Sequence, residues 1–122
     1  MKMPSEQVLD HFRNPRNAGE LADATAKVEV SNPVCADVLQ LTARVEDGRI
    51  AEARFLCRGC TTAIACASFL TSQIQGKAIA EARNVTARQI SDSLGGLPAA
   101  TYHGAQLAED ALGALLDKLK AR

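Results

Sequence analysis

Leu39-Gln40-Leu41-Thr42-Ala43-Arg44-Val45, Glu46-Asp47-Gly48-Arg49 and Ala51-Glu52-Ala53-Arg54-Phe55-Leu56-Cys57 together decide the fold. In the first run apolar residues take every second place, the period of a strand with one buried face. The four residues that follow read as a hairpin turn, with Gly48 free to take a positive φ. The second run returns with Ala51, Ala53, Phe55 and Cys57 on one side, and with Glu52 and Arg54 on the other. Upstream, Lys27-Val28-Glu29-Val30 reads as another strand, closed by Asn32-Pro33. Val34-Cys35-Ala36-Asp37 is the bend that leads from it into the hairpin. Three strands in a meander follow.

Helices flank this sheet. Ser5 is placed to cap a short one, with Val8, Leu9 and Phe12 as its apolar side, and Asn14-Pro15-Arg16-Asn17 breaks it. After the hairpin, Arg58-Gly59-Cys60 turns the chain into a helix beginning near Thr61 or Thr62. Ala63, Ala67, Leu70 and Ile74 recur along it at helical spacing, and Gly76 closes it. Lys77 to Ala82 suggests a short helix. Thr86 with Gln89 fits a capping box for another, running through Ile90 and Leu94. Gly95-Gly96-Leu97-Pro98 ends that one. From about Gly104 onward, Ala108, Ala111, Leu112, Leu115 and Leu119 trace one stripe of a final helix. With strands first and helices mostly after, the class is α+β: a three-stranded antiparallel sheet packed against several helices in one domain, 1–122.

Composition narrows the function. The chain has 122 residues, 47% of them hydrophobic, which is enough for one ordinary core. Only 3% are aromatic, so Ala, Leu, Ile and Val carry the packing. Fourteen basic residues balance 14 acidic ones, which gives nucleic acid and anionic membranes nothing to hold. The apolar stretches are far shorter than the ~20 residues that cross a bilayer, and the start lacks an apolar signal core. These features predict a cytoplasmic protein. There, four cysteines are expected as free thiols rather than as a disulfide framework.

Four metal-capable side chains stand at the joints between elements: Cys35, Asp37, Cys60 and His103. Two thiolates, a carboxylate and an imidazole suffice for a tetrahedral metal, although their spacing requires a folded domain to assemble them. Cys60 precedes a helix N-terminus, whose partial positive charge favours a thiolate. Cys35 and Asp37 lie two apart in the bend, a soft ligand beside a hard one, which suits iron or zinc. Asp37 alone reads equally as a turn residue accepting backbone N–H bonds. His103 alone reads as a surface residue or as the imidazole completing a site. Cys57 forms Cys-x-x-Cys with Cys60, a spacing used by redox dithiols. However, it shares the inward face of Phe55, and in redox motifs the first Cys starts the helix, so Cys57 is expected as a core thiol. Cys66 lies beside the Ala63-Ala67-Leu70 stripe and is expected to be packed. His11, among polar residues of the first helix, is expected to be structural or on the surface.

Read together, these segments resemble the iron–sulfur cluster assembly scaffold family, the IscU type that also forms the N-terminal domain of NifU. The resemblance covers nearly the whole chain. It rests on Val8-Leu9-Asp10-His11-Phe12-Arg13-Asn14-Pro15-Arg16-Asn17, on Asn32-Pro33-Val34-Cys35-Ala36-Asp37, on Phe55 through Gly59-Cys60-Thr61-Thr62-Ala63-Ile64-Ala65, and on Leu97-Pro98 through His103 into Leu107-Ala108-Glu109-Asp110-Ala111. It implies that three cysteines and an aspartate, with a histidine beside them, hold a transient [2Fe–2S] cluster, iron or a zinc ion. It also implies that sulfur comes from a cysteine desulfurase and that the cluster passes to apo iron–sulfur acceptor proteins. Carried over, Cys35, Asp37, Cys60 and His103 take the ligand positions.

The chain departs from the family pattern in three places. Gly104 stands where the resemblance puts the third cysteine. Leu97-Pro98-Ala99-Ala100-Thr101 lacks the second Pro and the Lys of the stretch that an Hsp70-type chaperone recognises, which argues against chaperone handover. Ala36 stands in place of a Gly. Either His103 becomes a ligand, or Cys57 or Cys66 swings in as a substitute thiolate; the first needs no core residue to move. The leading expectation is therefore a scaffold or carrier rather than an enzyme. The alternatives are a zinc-binding sulfur acceptor of the same fold, a degenerate member that only binds partners, and a thiol redox enzyme using Cys57 and Cys60.

Overall fold

Asp47 and Gly48 both take positive φ, 54° and 75°. That is the two-residue type I′ turn, whose twist matches the strands it joins. It links β2 (Val38–Glu46) to β3 (Arg49–Arg58), and β1 (Ala26–Ser31) pairs with the other edge of β2. The sheet order is β1-β2-β3, antiparallel throughout, as the meander reading requires. The computed structural model describes residues 4–32 and 36–120.

The alternation of the hairpin holds with one change of phase. Leu39, Leu41 and Ala43 on β2 and Ala53 and Phe55 on β3 are buried as expected. Strict alternation also puts Ala51 inward and Ile50 outward, and here the structure differs. The register slips between Arg44 and Val45, so Arg44 pairs with Glu52 while Val45 pairs with Ile50. Ala51 is left as the extra residue of a β-bulge, which turns Ile50 into the core, fully buried.

Helices cover one face of this sheet. They are α1 (Glu6–Arg13), α2 (Thr61–Ile74), α3 (Ile79–Ala82), α4 (Ala87–Ser93) and α5 (His103–Lys120). α2 lies against β3 and α5 against β1 and β2, and the two helices pack on each other. Leu70, Ile74, Ala111, Leu112 and Leu115 join the sheet's inner residues in one core. Thr86 and Gln89 form the expected capping box of α4. α5 begins one residue earlier than its apolar stripe indicates, so that His103 is its first residue.

α1 packs on α2, but not by the expected face. Val8 is buried, whereas Phe12 is 39% exposed. The contact runs from Val8 to His11, a three-residue step. The His11 ring meets Phe69 edge-on at 5.8 Å, and its Nδ1 lies 2.8 Å from Ser68 Oγ. Among the described residues, no helix is long and apolar enough to cross a membrane.

Candidate metal centre

Asp37 enters the site from a bend whose neck is tied by the backbone. Ala36 N–H donates to Asn32 O (2.8 Å), and Asn32 N–H donates to Asp37 O (2.9 Å). Ala36 takes φ 56°, a left-handed conformation that costs an alanine more than a glycine. Beyond the neck, the Asp37 side chain folds under the joint between β3 and α2. Gly59 makes this room, because a Cβ there would stand 2.8 Å from Asp37 Cγ and 3.0 Å from its Oδ1. Asp37 is consequently buried, and its Oδ2 finds no hydrogen-bond partner among the described residues.

Cys60 is the N-cap of α2. Its exposed thiol accepts the Ala63 N–H at 3.4 Å, in the place where a serine or aspartate oxygen usually sits. His103 arrives from the opposite direction. Two successive turns, Thr101 N–H to Pro98 O and Gly104 N–H to Thr101 O, carry the Leu97-Pro98 loop into α5. His103 Nε2 then lies 3.6 Å from Asp37 Oδ2.

One carboxylate oxygen, one sulfur and one imidazole nitrogen, from Asp37, Cys60 and His103, all lie within 4.8 Å of one another. Ligands bound at about 2.0–2.3 Å in a tetrahedron stand roughly 3.5 Å apart, so the trio closes by about an ångström around one ion. The donor set fits such an ion, and the orphaned Oδ2 gives it a reason to bind. A buried carboxylate oxygen without a donor is costly, and a cation removes the cost. The structure thus brings together three of the four residues that the sequence singled out. The fourth, Cys35, lies outside the described residues.

Cys57 and Cys66 are not in this group. Cys57 is half-buried and packs against the core, as its strand position predicts. Burial pushes its thiol up to about 11, with the nearby Asp37 and Cys60 adding to the shift. Cys66 is fully buried, and burial pushes its thiol up to about 12. Burial thus disfavours the thiolate form of both, as expected of core thiols. Sequence reasoning undervalued the two glycines of the site. It placed Gly59 in the turn into α2, and the structure shows that the space this residue leaves serves Asp37. It treated Gly104 as a missing cysteine, whereas a Cβ there would stand 3.2 Å from the Ala63 backbone.

A three-stranded meander covered by helices on one face, with its polar trio at the β3–α2 joint and the start of α5, defines a class. Residues 3–122 match the family profile described as NifU-like N terminal domain, and the chain belongs to that family. Its relatives are more particular. It is 44% identical over 110 residues to iron-sulfur cluster assembly scaffold protein IscU 1 of Archaeoglobus fulgidus, covering 90% of this chain and 72% of that one. It is 41% identical to the IscU scaffold protein of Haemophilus influenzae, covering 97% and 96% of the two chains. The crystal structure of a nitrogen-fixing NifU-like protein (N-terminal) from Brucella abortus superposes with a TM-score of 0.76, covering 96% of this chain and 94% of that one. At 16% identity that match speaks for the fold alone.

Proposed function

We propose that this protein is a scaffold or carrier in iron–sulfur cluster assembly, not an enzyme with turnover. It would bind iron and a [2Fe–2S] cluster as cargo at Cys35, Asp37, Cys60 and His103, and pass the cluster to apo acceptor proteins. A cysteine desulfurase would supply the sulfur. The relatives at 38–44% identity named as IscU scaffold proteins support the function. The observation that carries the site is the unpartnered, buried Asp37 Oδ2 within reach of Cys60 and His103.

Each residue has a role that follows from its setting. Cys60, exposed at a helix N-terminus, offers a thiolate that partners and solvent reach. Asp37 is a hard and exchangeable ligand, its Oδ2 without a hydrogen bond among the described residues. His103, 22% exposed, offers the nitrogen that closes the site toward α5. Exchangeable ligands beside an exposed thiolate suit a site that must let its cargo go.

A second reading keeps the fold and changes the cargo: a zinc site that accepts sulfur without building clusters. Gly104 in the place of a third thiolate favours it, since thiolate, carboxylate and imidazole make an ordinary zinc set. Anaerobic reconstitution with iron and sulfide separates the two. The scaffold reading expects a visible chromophore at stoichiometric iron, lost in Cys60→Ala. Tight zinc with no chromophore would overturn it in favour of the second.

A further inference from the structure

Gly104 lies against the first turn of α2. A Cβ on it would stand 3.2 Å from Ala63 Cα, 3.2 Å from Ala63 N and 3.4 Å from Thr62 C. All three are backbone atoms, which cannot swing aside as the end of a flexible side chain can. Ala63 and Thr62 are themselves buried, at 2% and 6% exposure. The Ala63 N–H is also the one that caps onto Cys60 Sγ. A side chain at position 104 would therefore press on the backbone at the start of α2. His103 is the next residue back along the chain, with Nε2 3.6 Å from Asp37 Oδ2.

We propose that Gly104 is a positioning residue: its bare backbone seats α5 closely enough on α2 to make His103 a metal ligand alongside Asp37 and Cys60. The proposal rests on the reading that this trio holds a metal. A methyl group at 104 parts the two helix starts by a few tenths of an ångström. The trio must close by about an ångström around an ion, and a group at 104 holds His103 back from that closure, so the His103 bond weakens first. The residue in the place of the third cysteine thus has a task of its own, which is to bring in the imidazole.

Cobalt(II) binding to the full chain tests this, read by the thiolate-to-cobalt charge-transfer band and the ligand-field bands. His103→Ala and Gly104→Ala are each expected to weaken cobalt roughly 10-fold or more, in the range that losing a metal-orienting group costs. The double variant is expected to bind no more weakly than His103→Ala alone, because both lose the same bond. Wild-type affinity in Gly104→Ala, or losses that add in the double variant, overturns the proposal. If Gly104→Ala does not fold, the wild type decides. The metal-free protein must show a nuclear Overhauser effect between a Gly104 Hα and the Ala63 amide proton, and the cobalt form must show a hyperfine-shifted His103 imidazole. Lack of either overturns the proposal. A wild type with the Overhauser effect and no charge-transfer band sinks the metal reading itself, and with it any positioning role for Gly104.

Discussion

Asp37 is held in a place that suits a cation better than it suits the metal-free fold. Its carboxylate is buried, one oxygen lacks a donor among the described residues, and His103 Nε2, at 3.6 Å from that oxygen, is beyond hydrogen-bond length. Asp37→Asn keeps the shape and removes the charge. A neutral amide costs far less to bury than a carboxylate. The metal-free variant should therefore melt higher, by an amount that corresponds to about 1–3 kcal/mol, while its cobalt affinity falls at least tenfold. Thermal denaturation and cobalt titration of the same samples check both halves. Ala36 carries a second local cost. Its φ of 56° is left-handed, so Ala36→Gly should stabilise the protein by about 1 kcal/mol in a denaturant titration. Cys60 and His103 were legible in the sequence because each stands where a periodic pattern stops. The burial of Asp37 was not, since it depends on a glycine in a different joint that no local pattern links to it.

The elements were largely readable, and the exception has a clear cause. Alternation in β2 and β3, the Asp-Gly turn and the capping box each announce themselves within a few residues. The bulge does not, because Ala51 and Ala53 both satisfy period two and neither contradicts it. The energetic consequence is sharp. Ile50 fills the core, so Ile50→Ala should cost about 2–5 kcal/mol. Ala51→Ser should stay within about 0.5 kcal/mol, since that residue lies outside the ladder. Unbroken alternation predicts the reverse order, so urea melts of these two variants decide between the registers. The start of α5 is a second boundary that pattern alone misplaces. Its stripe begins inside the helix, while His103 and Gly104 are held by contacts with the site and with α2.

At the scale of the molecule, α1 is fastened to the rest by a clasp that senses pH. Ser68 is buried on α2, and its Oγ accepts the Arg16 backbone N–H at 2.8 Å. The same Oγ lies 2.8 Å from His11 Nδ1, a hydrogen bond in which the imidazole tautomer decides which group donates. Burial lowers the pKa of His11 below its ordinary 6.5, the nearby Arg16 lowers it further, and Asp10 opposes both. The unfolded chain therefore binds more protons than the folded one in the window below about 6.5. The contribution of His11 to stability is complete above that pH, declines as pH falls toward the folded pKa, and is flat below it. The lowered carboxyls of Asp10, Glu20 and Glu52 lose their contributions only in the more acidic carboxylate range. His11→Gln keeps a side chain able to accept from Ser68 and removes the titration. Subtracting its pH–stability curve from that of the wild type should leave a step that rises with pH in the range below about 6.5. A flat difference would mean that α1 contributes to the fold through Val8 and the Phe69 ring contact, and not through the clasp.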